Sequence, residues 1–268
     1  MAYATLKVNR DSRGVLYVTL NRPEVRNAFN DQVIEDLTRT FSEDAKKNDV
    51  RAVVLAGEGA SFCAGGDLNW MKRSVDLTRE ENLKDTRKLT EMFALMNECP
   101  KPLIGAVQGH AIGGGVGLVS VCDIVVAVQT TEFSLSEVRL GIVPACIGPF
   151  VVSKIGASHA RGLFVSAERF QGAKAREIGL VHECVEDHAA LQQSVERILG
   201  NILQCGPNAI GVAKRLVLEL SWPEHRKSLK DPLGYVAEVL ADLRVTPEGQ
   251  EGVRAFLEKR KPSWLVKK

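Results

Sequence analysis

The order of apolar and polar residues predicts alternating strands and helices in the first part of the chain. Val15–Leu20 (VLYVTL) is rich in β-branched and aromatic residues and ends at an Asn-Arg-Pro turn, so it is predicted to be a strand. Ala52–Ala56 (AVVLA) is an apolar run of strand length. Between them, apolar residues recur at spacings of three and four across Asp31–Lys47, and Asn30 precedes the first turn as a good N-cap. This segment is therefore predicted to be an amphipathic helix.

Further along, the pattern predicts a polar segment, several short strands and then helices. Lys72–Thr78 is polar and is predicted to be mobile, and a helical run follows it to Glu98. The predicted strands are Pro102–Val107, Asp123–Val128 and Thr131–Leu135. The predicted C-terminal helices are Asp187–Leu203, Asn208–Leu220, Asp231–Val245 and Pro247–Lys259. The chain is thus predicted to be an α/β protein, with a core over residues 1–205 and a helical C-terminal domain over residues 206–268.

Composition excludes several classes of protein. The 268 residues are 45% hydrophobic and 25% charged with a net charge of +2, and no block of lysine and arginine suggests nucleic acid as a partner. The apolar stretches are too short to cross a membrane, and the N-terminus has neither a signal-peptide nor a transit-peptide character, so a cytoplasmic protein is expected. The six cysteines and five histidines show no metal-ligand spacing, so no metal is expected.

Two glycine-rich segments are candidates for chemistry. Gly105–Asp123 (GAVQGHAIGGGVGLVSVCD) is predicted to be a strand, a tight turn and the start of a helix. Ser61–Leu68 (SFCAGGDL) follows the strand Ala52–Ala56 and is also predicted to be a turn. Unpaired N–H groups at two such strand ends can converge on one oxygen atom. The alternative is that the glycines only allow a helix to pack closely on a neighbouring strand.

Several separated motifs resemble those of the enoyl-CoA hydratase/isomerase (crotonase) superfamily. They are the two glycine segments, NRPEVRNAF at residues 21–29, SEVRLGIVP at 136–144 and AFLEKRK at 255–261. The resemblance implies a crotonase-like spiral of ββα units with a helical C-terminal trimerisation domain, in a homotrimer or a dimer of trimers. It also implies an acyl-CoA substrate, so that coenzyme A is part of the substrate and no separate cofactor is needed. The backbone N–H groups of Gly66 and Gly114 would form the oxyanion hole for the thioester oxygen.

Glu137 matches one of the two catalytic glutamates of the hydratases. For an arbitrary glutamate the ordinary interpretation is an exposed carboxylate paired with a neighbour, here Arg139. If Leu135, Leu140 and Ile142 bury Glu137, its pKa is expected to rise toward a range useful for proton transfer. The second hydratase glutamate would lie three residues after Gly114, where this chain has Gly117.

The missing second glutamate leaves three functions open. The first is a hydratase that adds water across the 2,3 double bond of an enoyl-CoA. In it, either Glu137 performs both proton transfers, or a residue from elsewhere in the chain or the substrate's own carboxylate assists. The second is a Δ3-Δ2 enoyl-CoA isomerase that uses the same glutamate, and the third is a non-catalytic binder of CoA esters. Three segments, FCAGGDLNWMK, PACIGPFVV and SAERFQGAKAREIGL, resemble the branch that hydrates 3-methylglutaconyl-CoA and related branched, carboxylated substrates.

The resemblance also predicts which residues contact the acyl-CoA. Besides Gly66 and Gly114, the predicted substrate-binding residues are Arg26, Ala64, Asp67, Leu68, Asn69, Phe256 and Lys259. Asn69 stands where lysine is common, and for Lys259 the alternative is a solvated lysine at a helix end. Lys72 and Arg73 are the candidates to meet a distal carboxylate on the substrate. His110 lies in the central turn and is expected to form a structural hydrogen bond.

Overall fold

A computed structural model describes residues 3–221 and 231–266 and shows nine strands in two sheets within these ranges. The strands are β1 (Leu6–Arg10), β2 (Val15–Leu20), β3 (Ala52–Gly57), β4 (Leu103–Val107), β5 (His110–Ile112), β6 (Ile124–Val128), β7 (Glu132–Ser134), β8 (Arg169–Phe170) and β9 (Glu183–Val185). The larger sheet has the order β1-β2-β3-β4-β6-β9 and is parallel except for β1, which is antiparallel to β2. The smaller sheet has the order β5-β7-β8.

The described part of the chain also contains ten α-helices. They are α1 (Asp31–Arg39), α2 (Leu68–Val75), α3 (Arg79–Asn97), α4 (Gly114–Ser120), α5 (Gly148–Ser166), α6 (Gly172–Glu177), α7 (His188–Ile202), α8 (Ala209–Ser221), α9 (Pro232–Val245) and α10 (Pro247–Leu257). The α/β fold class predicted from the pattern is confirmed. None of the helices in residues 3–221 and 231–266 has the length and apolar character needed to cross a bilayer.

Strand β3 shows why a strand of the larger sheet is a continuous apolar run in the sequence. Val53 and Leu55 point into the main core, whereas Ala52 and Val54 point to a second apolar cluster formed with α7. A parallel strand covered on both faces needs apolar residues at every position. The predicted strand Ala52–Ala56 is therefore found, one residue longer.

Four strands were not predicted, and each lacks a strong sequence signal. β8 and β9 have two and three residues, and β1 (LKVNR) is largely polar and only partly buried. The fourth, β5, lies inside the segment predicted to be a tight turn and pairs in parallel with β7. Such short or half-exposed strands depend on pairing partners distant in sequence, which a local pattern does not show.

Two predicted boundaries in the first half are wrong. The helix predicted over Asp31–Lys47 has Asn30 as its N-cap, but α1 ends at Arg39 and a π-helical turn follows over Thr40–Asp44. The first half of the polar segment predicted over Lys72–Thr78 belongs to helix α2. Asp67 caps α2 by accepting hydrogen bonds from two backbone N–H groups, and this cap stabilises a helix that periodicity alone does not indicate.

The helices predicted for the C-terminal domain are found in its described part, while residues 222–230 lie outside the described residues. Asp231 and Thr246 cap α9 and α10, each followed by a proline at the first helical position. No side chain of α8 or α9 is buried in the single chain. One ion pair between this region and the core joins Lys214 of α8 to Asp123, with 2.9 Å between Nζ and Oδ2. The domain boundary at residue 205 stays a prediction.

Candidate functional site

The two glycine-rich segments lie directly against each other. Cys63 donates its N–H to the His110 carbonyl (2.9 Å), and Ile112 donates to the Cys63 carbonyl (3.0 Å), so residue 63 pairs with β5 as a further strand would. A Cβ atom at Gly115 would lie 2.3 Å from the Cys63 oxygen. Close packing thus explains the glycine at position 115, and the same contact brings the Gly66 turn next to the start of α4.

At Gly66, hydrogen bonds to Phe29 fix the direction of the backbone. Phe29 donates its N–H to the Gly65 carbonyl (2.7 Å) and accepts from the Asp67 N–H (2.8 Å). In a trans peptide the C=O and the N–H point in opposite directions, and the described residues contain no cis peptide bond. The Gly66 N–H therefore points away from Phe29, and it has no protein acceptor in the part of the chain that the structure describes.

Gly114 offers a second free donor. It is the first residue of α4, and the preceding carbonyl, that of Gly113, accepts hydrogen bonds from Val116 (2.9 Å) and Gly117 (3.2 Å). Because that carbonyl points into the helix, the Gly114 N–H points out of it. It too meets no acceptor from residues 3–221 or 231–266. The structure thus provides unpaired N–H groups at both positions that the sequence predicts as donors.

The Glu137 carboxylate lies at the start of α4. A Cβ atom at Gly113 would be 3.1 Å from Glu137 Oε1. Glu137 Oε2 is buried and has no hydrogen-bond partner among the described residues. Desolvation by this burial raises the pKa of Glu137 above the ordinary carboxyl value, as the sequence predicts.

The surroundings of Glu137 differ from the prediction in one respect. Leu135 is fully buried, but Leu140 and Ile142 are 60% and 55% exposed, so these two side chains do not bury the carboxylate. Leu140 is the last residue of the 3-10 turn Glu137–Leu140, and Ile142 lies just beyond it. The alternative of an ion pair with Arg139 is wrong, because that guanidinium donates to the Ala167 carbonyl (2.9 Å).

The position of the second hydratase glutamate is filled by apolar side chains. A Cβ atom at Gly117 would lie 2.3 Å from Ile147 Cγ2 and 2.9 Å from the Phe93 ring. Phe93 packs edge-on against Phe29, with 6.0 Å between the ring centroids. Gly117 is therefore a packed position of the core and leaves no room for a carboxylate.

The predicted CoA-binding residues divide into two groups. Around the Gly66 turn, Arg26 is exposed and its carbonyl accepts the Ala64 N–H (3.0 Å), while Leu68 and Asn69 are exposed in the first turn of α2. These four residues thus lie together around the Gly66 turn, and we call this group the rim. Phe256 is 82% exposed near the end of α10, and Lys259 follows it, also exposed.

Asp67 has a different environment from its neighbours on that rim. Its side chain is 8% exposed, and Oδ2 forms an ion pair with Arg22 Nη2 at 2.8 Å. Oδ1 accepts from the N–H groups of Asn69 (2.8 Å) and Trp70 (3.3 Å). Burial alone would raise the pKa of Asp67, but these hydrogen bonds outweigh it and lower the pKa below the usual carboxyl value. Protein donors therefore already hold this carboxylate, and its predicted substrate contact stays a prediction.

Other candidates are assigned by their contacts. Arg73 is paired with Asp31, whereas Lys72 is exposed on α2. His110 Nδ1 shares a hydrogen bond with Ser61 Oγ (3.0 Å), which confirms the expected structural role. Burial raises the pKa of the Cys63 thiol to about 12, which disfavours the nucleophilic thiolate at neutral pH. Across the described ranges, no three side chains of types that ligate metals form a possible metal site.

Sequence reasoning did not single out Arg22, Phe29, Phe93 or Ile147 at this site. Arg22 and Phe29 lie within NRPEVRNAF, so the motif contains them. Phe93 lies in the helical run predicted to end at Glu98 and is buried in α3, but the sequence pattern does not show what it packs against. Contact between distant segments is the missing information.

Comparison with known proteins places these features in a family. The family model described as enoyl-CoA hydratase/isomerase matches residues 10–267. A putative enoyl-CoA hydratase of Thermus thermophilus is 32% identical over 92% of this chain and 96% of its own length. The 2,3-dehydroadipyl-CoA hydratase of Escherichia coli is 32% identical, covering 97% and 98%. The solved structure of Pseudomonas aeruginosa AtuE has a TM-score of 0.91 at 38% identity, covering 98% of this chain and 100% of that one.

Proposed function

Because the chain belongs to the enoyl-CoA hydratase/isomerase family, we propose that it is an enoyl-CoA hydratase in which Glu137 is the one carboxylate that moves protons. The observation that carries this proposal is the buried and unpartnered Glu137 Oε2 beside the start of α4. Leaving such an oxygen without a partner costs free energy, and a substrate or a water molecule that binds there removes the cost.

The proposed mechanism begins at the thioester carbonyl. The N–H groups of Gly66 and Gly114 donate to its oxygen and stabilise the negative charge of the enolate, at about 3 kcal/mol of barrier for each donor. Water adds at C3 and loses a proton to Glu137, and the same carboxyl then delivers a proton to C2. A carboxyl whose pKa is raised by burial suits both steps, since it accepts a proton more readily and remains able to release it.

For the substrate we propose a branched acyl group with a distal carboxylate, such as 3-methylglutaconyl-CoA. Its support is the resemblance of the three segments quoted above and the name of the Escherichia coli relative, whose dehydroadipyl substrate also ends in a carboxylate. Lys72, exposed on the helix that follows Gly66, is the candidate cation for that group. Coenzyme A is part of the substrate, and we propose no separate cofactor.

A double-bond isomerase is the second candidate, and the packing at Gly117 favours it. Ile147 and Phe93 fill the space where a second carboxylate would hold the attacking water. A single carboxylate can instead shuttle one proton between C2 and C4 of a 3-enoyl-CoA, which needs no water.

For the assembly we propose a homotrimer or a dimer of trimers. Support comes from the apolar side chains that the C-terminal helices expose in the single chain. They include Val217, Leu233, Leu240, Val253, Phe256 and Leu257. Burying them against another subunit would be favourable, at roughly 25 cal/mol per Å² of apolar area. In such an assembly Phe256 and Lys259 would contact coenzyme A bound to the neighbour.

The deciding experiment compares the hydration of 3-methylglutaconyl-CoA with that of crotonyl-CoA and with isomerisation of a 3-enoyl-CoA. Hydration removes the absorbance of the conjugated thioester, whereas isomerisation creates it. Preferred turnover of the branched acid supports the proposal. Turnover of the 3-enoyl-CoA alone replaces hydratase by isomerase, and CoA-ester binding without either reaction replaces both by a binder.

A further inference from the structure

Arg22 joins two segments that meet at the Gly66 turn. It lies just after β2, separated from the strand by Asn21, and its guanidinium donates from Nη1 to the Ala28 carbonyl (2.7 Å) and from Nη2 to Asp67 Oδ2 (2.8 Å). Its side chain is only 18% exposed. Since the planar guanidinium holds its nitrogens in a fixed fork, these two bonds set the position of residue 67 relative to residue 28.

The two residues that Arg22 connects are also the neighbours of the proposed donor. Phe29, which follows Ala28, donates to the Gly65 carbonyl, and Asp67 donates to the Phe29 carbonyl. Hydrogen bonds to Phe29 thus hold the peptide between Gly65 and Gly66 on both sides, and Arg22 in turn holds the segment Ala28–Phe29. A rotation of this peptide would turn the Gly66 N–H away from its present direction.

Phe29 extends the same framework to the second donor. A Cβ atom at Gly114 would lie 2.9 Å from the Phe29 ring, so the ring packs against the first residue of α4. Phe29 therefore contacts both segments that carry a free N–H. A shift of residues 28 and 29 would change the relative positions of both donors.

We propose that Arg22, acting through Asp67 and the segment Ala28–Phe29, is a positioning residue that sets the direction of the Gly66 N–H toward the thioester oxygen. This inference rests on the proposed function of that N–H. A misdirected donor weakens binding of the enolate more than binding of the substrate, because the charge on the oxygen develops in the transition state. Loss of the Arg22 contacts therefore lowers kcat and leaves KM nearly unchanged.

The test uses Arg22→Met, which removes both hydrogen bonds, and Arg22→Lys and Asp67→Asn, which each keep part of the network. Removing one oxyanion donor costs on the order of 100-fold to 1,000-fold in kcat, so a misdirected donor is expected to cost roughly 10-fold to 100-fold in Arg22→Met. Arg22→Lys and Asp67→Asn are expected to lose less, and KM to change less than about 3-fold in all three.

A second readout does not require turnover. Butyryl-CoA labelled with 13C at the thioester carbonyl is saturated and cannot be hydrated or isomerised. Its carbonyl stretch is expected to shift to lower frequency on binding to the native protein, because two N–H donors polarise the bond, and to shift less on binding to Arg22→Met.

The matched control is Lys214→Met, which breaks the ion pair between α8 and Asp123. That pair is also partly buried, so its loss can lower the melting temperature, but kcat and the carbonyl shift are expected to be unchanged. Should Arg22→Met fail to fold, Arg22→Lys and Asp67→Asn carry the same comparison.

The outcomes separate this inference from the proposed function. If the arginine variants melt earlier but keep the native kcat and carbonyl shift, Arg22 is merely structural and the inference is wrong. If binding to the native protein lowers the carbonyl frequency but no enoyl-CoA is turned over, the proposed reaction is wrong. The carbonyl frequencies measured with the variants then decide whether Arg22 has the positioning role. If the native protein binds butyryl-CoA with no carbonyl shift, the donors do not contact the oxygen and the inference fails.

Discussion

The start and the middle of the short helix α4 have opposite surroundings. At its start, the Gly114 N–H and Glu137 Oε2 are both without partners among the described residues. One turn later, Gly117 is enclosed by Phe93 and Ile147 so closely that a methyl group does not fit. The comparison teaches that this protein has unsatisfied polar groups at the start of the helix and a close-packed apolar core one turn further along. A mechanism written for this site therefore has one carboxylate to use.

The largest expected effect comes from removing that carboxylate. Glu137→Gln keeps the shape of the side chain but cannot accept a proton, so we expect kcat to fall by roughly 100-fold to 10,000-fold, the range for general acid–base catalysis. Steady-state kinetics with the acyl-CoA that the native chain turns over in the experiment above measure this loss. Full activity in the variant would mean that the unpartnered oxygen has no part in the reaction.

The close packing around Gly117 can be tested by adding a side chain at that position. Gly117→Ala places a Cβ atom 2.3 Å from Ile147 Cγ2, and we expect a loss of about 1–3 kcal/mol in the free energy of unfolding. Denaturant titration measures it. The double variant Gly117→Ala/Ile147→Ala removes the atom that clashes, so its loss is expected to be smaller than the sum of the two single losses. Simple additivity would show that Ile147 does not limit the space at residue 117.

The smallest expected effect is a gain in stability from Glu137→Gln. The pKa of Glu137 is raised in the folded chain, so keeping the carboxylate ionised there destabilises the fold at neutral pH. Removing this destabilisation is expected to raise the Tm of the variant above that of the native chain at neutral pH.

The pH dependence of that gain provides its control. The destabilisation is fully present above the folded-state pKa and disappears as the pH falls through it toward the pKa of the unfolded carboxyl. Thermal melts of the native chain and of the variant should therefore converge at acidic pH. A difference in Tm that is constant across pH would show that ionisation of Glu137 is not its cause.

The sequence predicts much of this arrangement, but not the contacts that define it. The strand β2, the cap at Asn30 and the C-terminal helices follow from periodicity and capping residues, and these are short-range signals. The burial of Glu137 was predicted with two wrong neighbours, because Leu140 and Ile142 are apolar yet exposed, whereas Leu135 is buried. The packing of Phe93 and Ile147 around Gly117 joins segments distant in sequence.

The same distinction applies to the rim around Gly66. The motif predicts Asp67 as a substrate contact, and its ion pair with Arg22, 45 positions away in sequence, was not foreseen. The same aspartate is the N-cap of helix α2, which was missed although a capping residue is a local signal. A residue's role here depends on which of its neighbours in space already occupies its hydrogen-bonding groups.

The proposed oxyanion donors belong to the main chain, and this affects how the protein can change during evolution. No point mutation deletes a backbone N–H except substitution to proline, so the ability to stabilise an enolate is inherited with the chain path itself. Most variation at this site must instead alter Glu137 or the exposed rim residues. Related sequences can thus acquire new reactions and new substrates while keeping the same means of stabilising the intermediate.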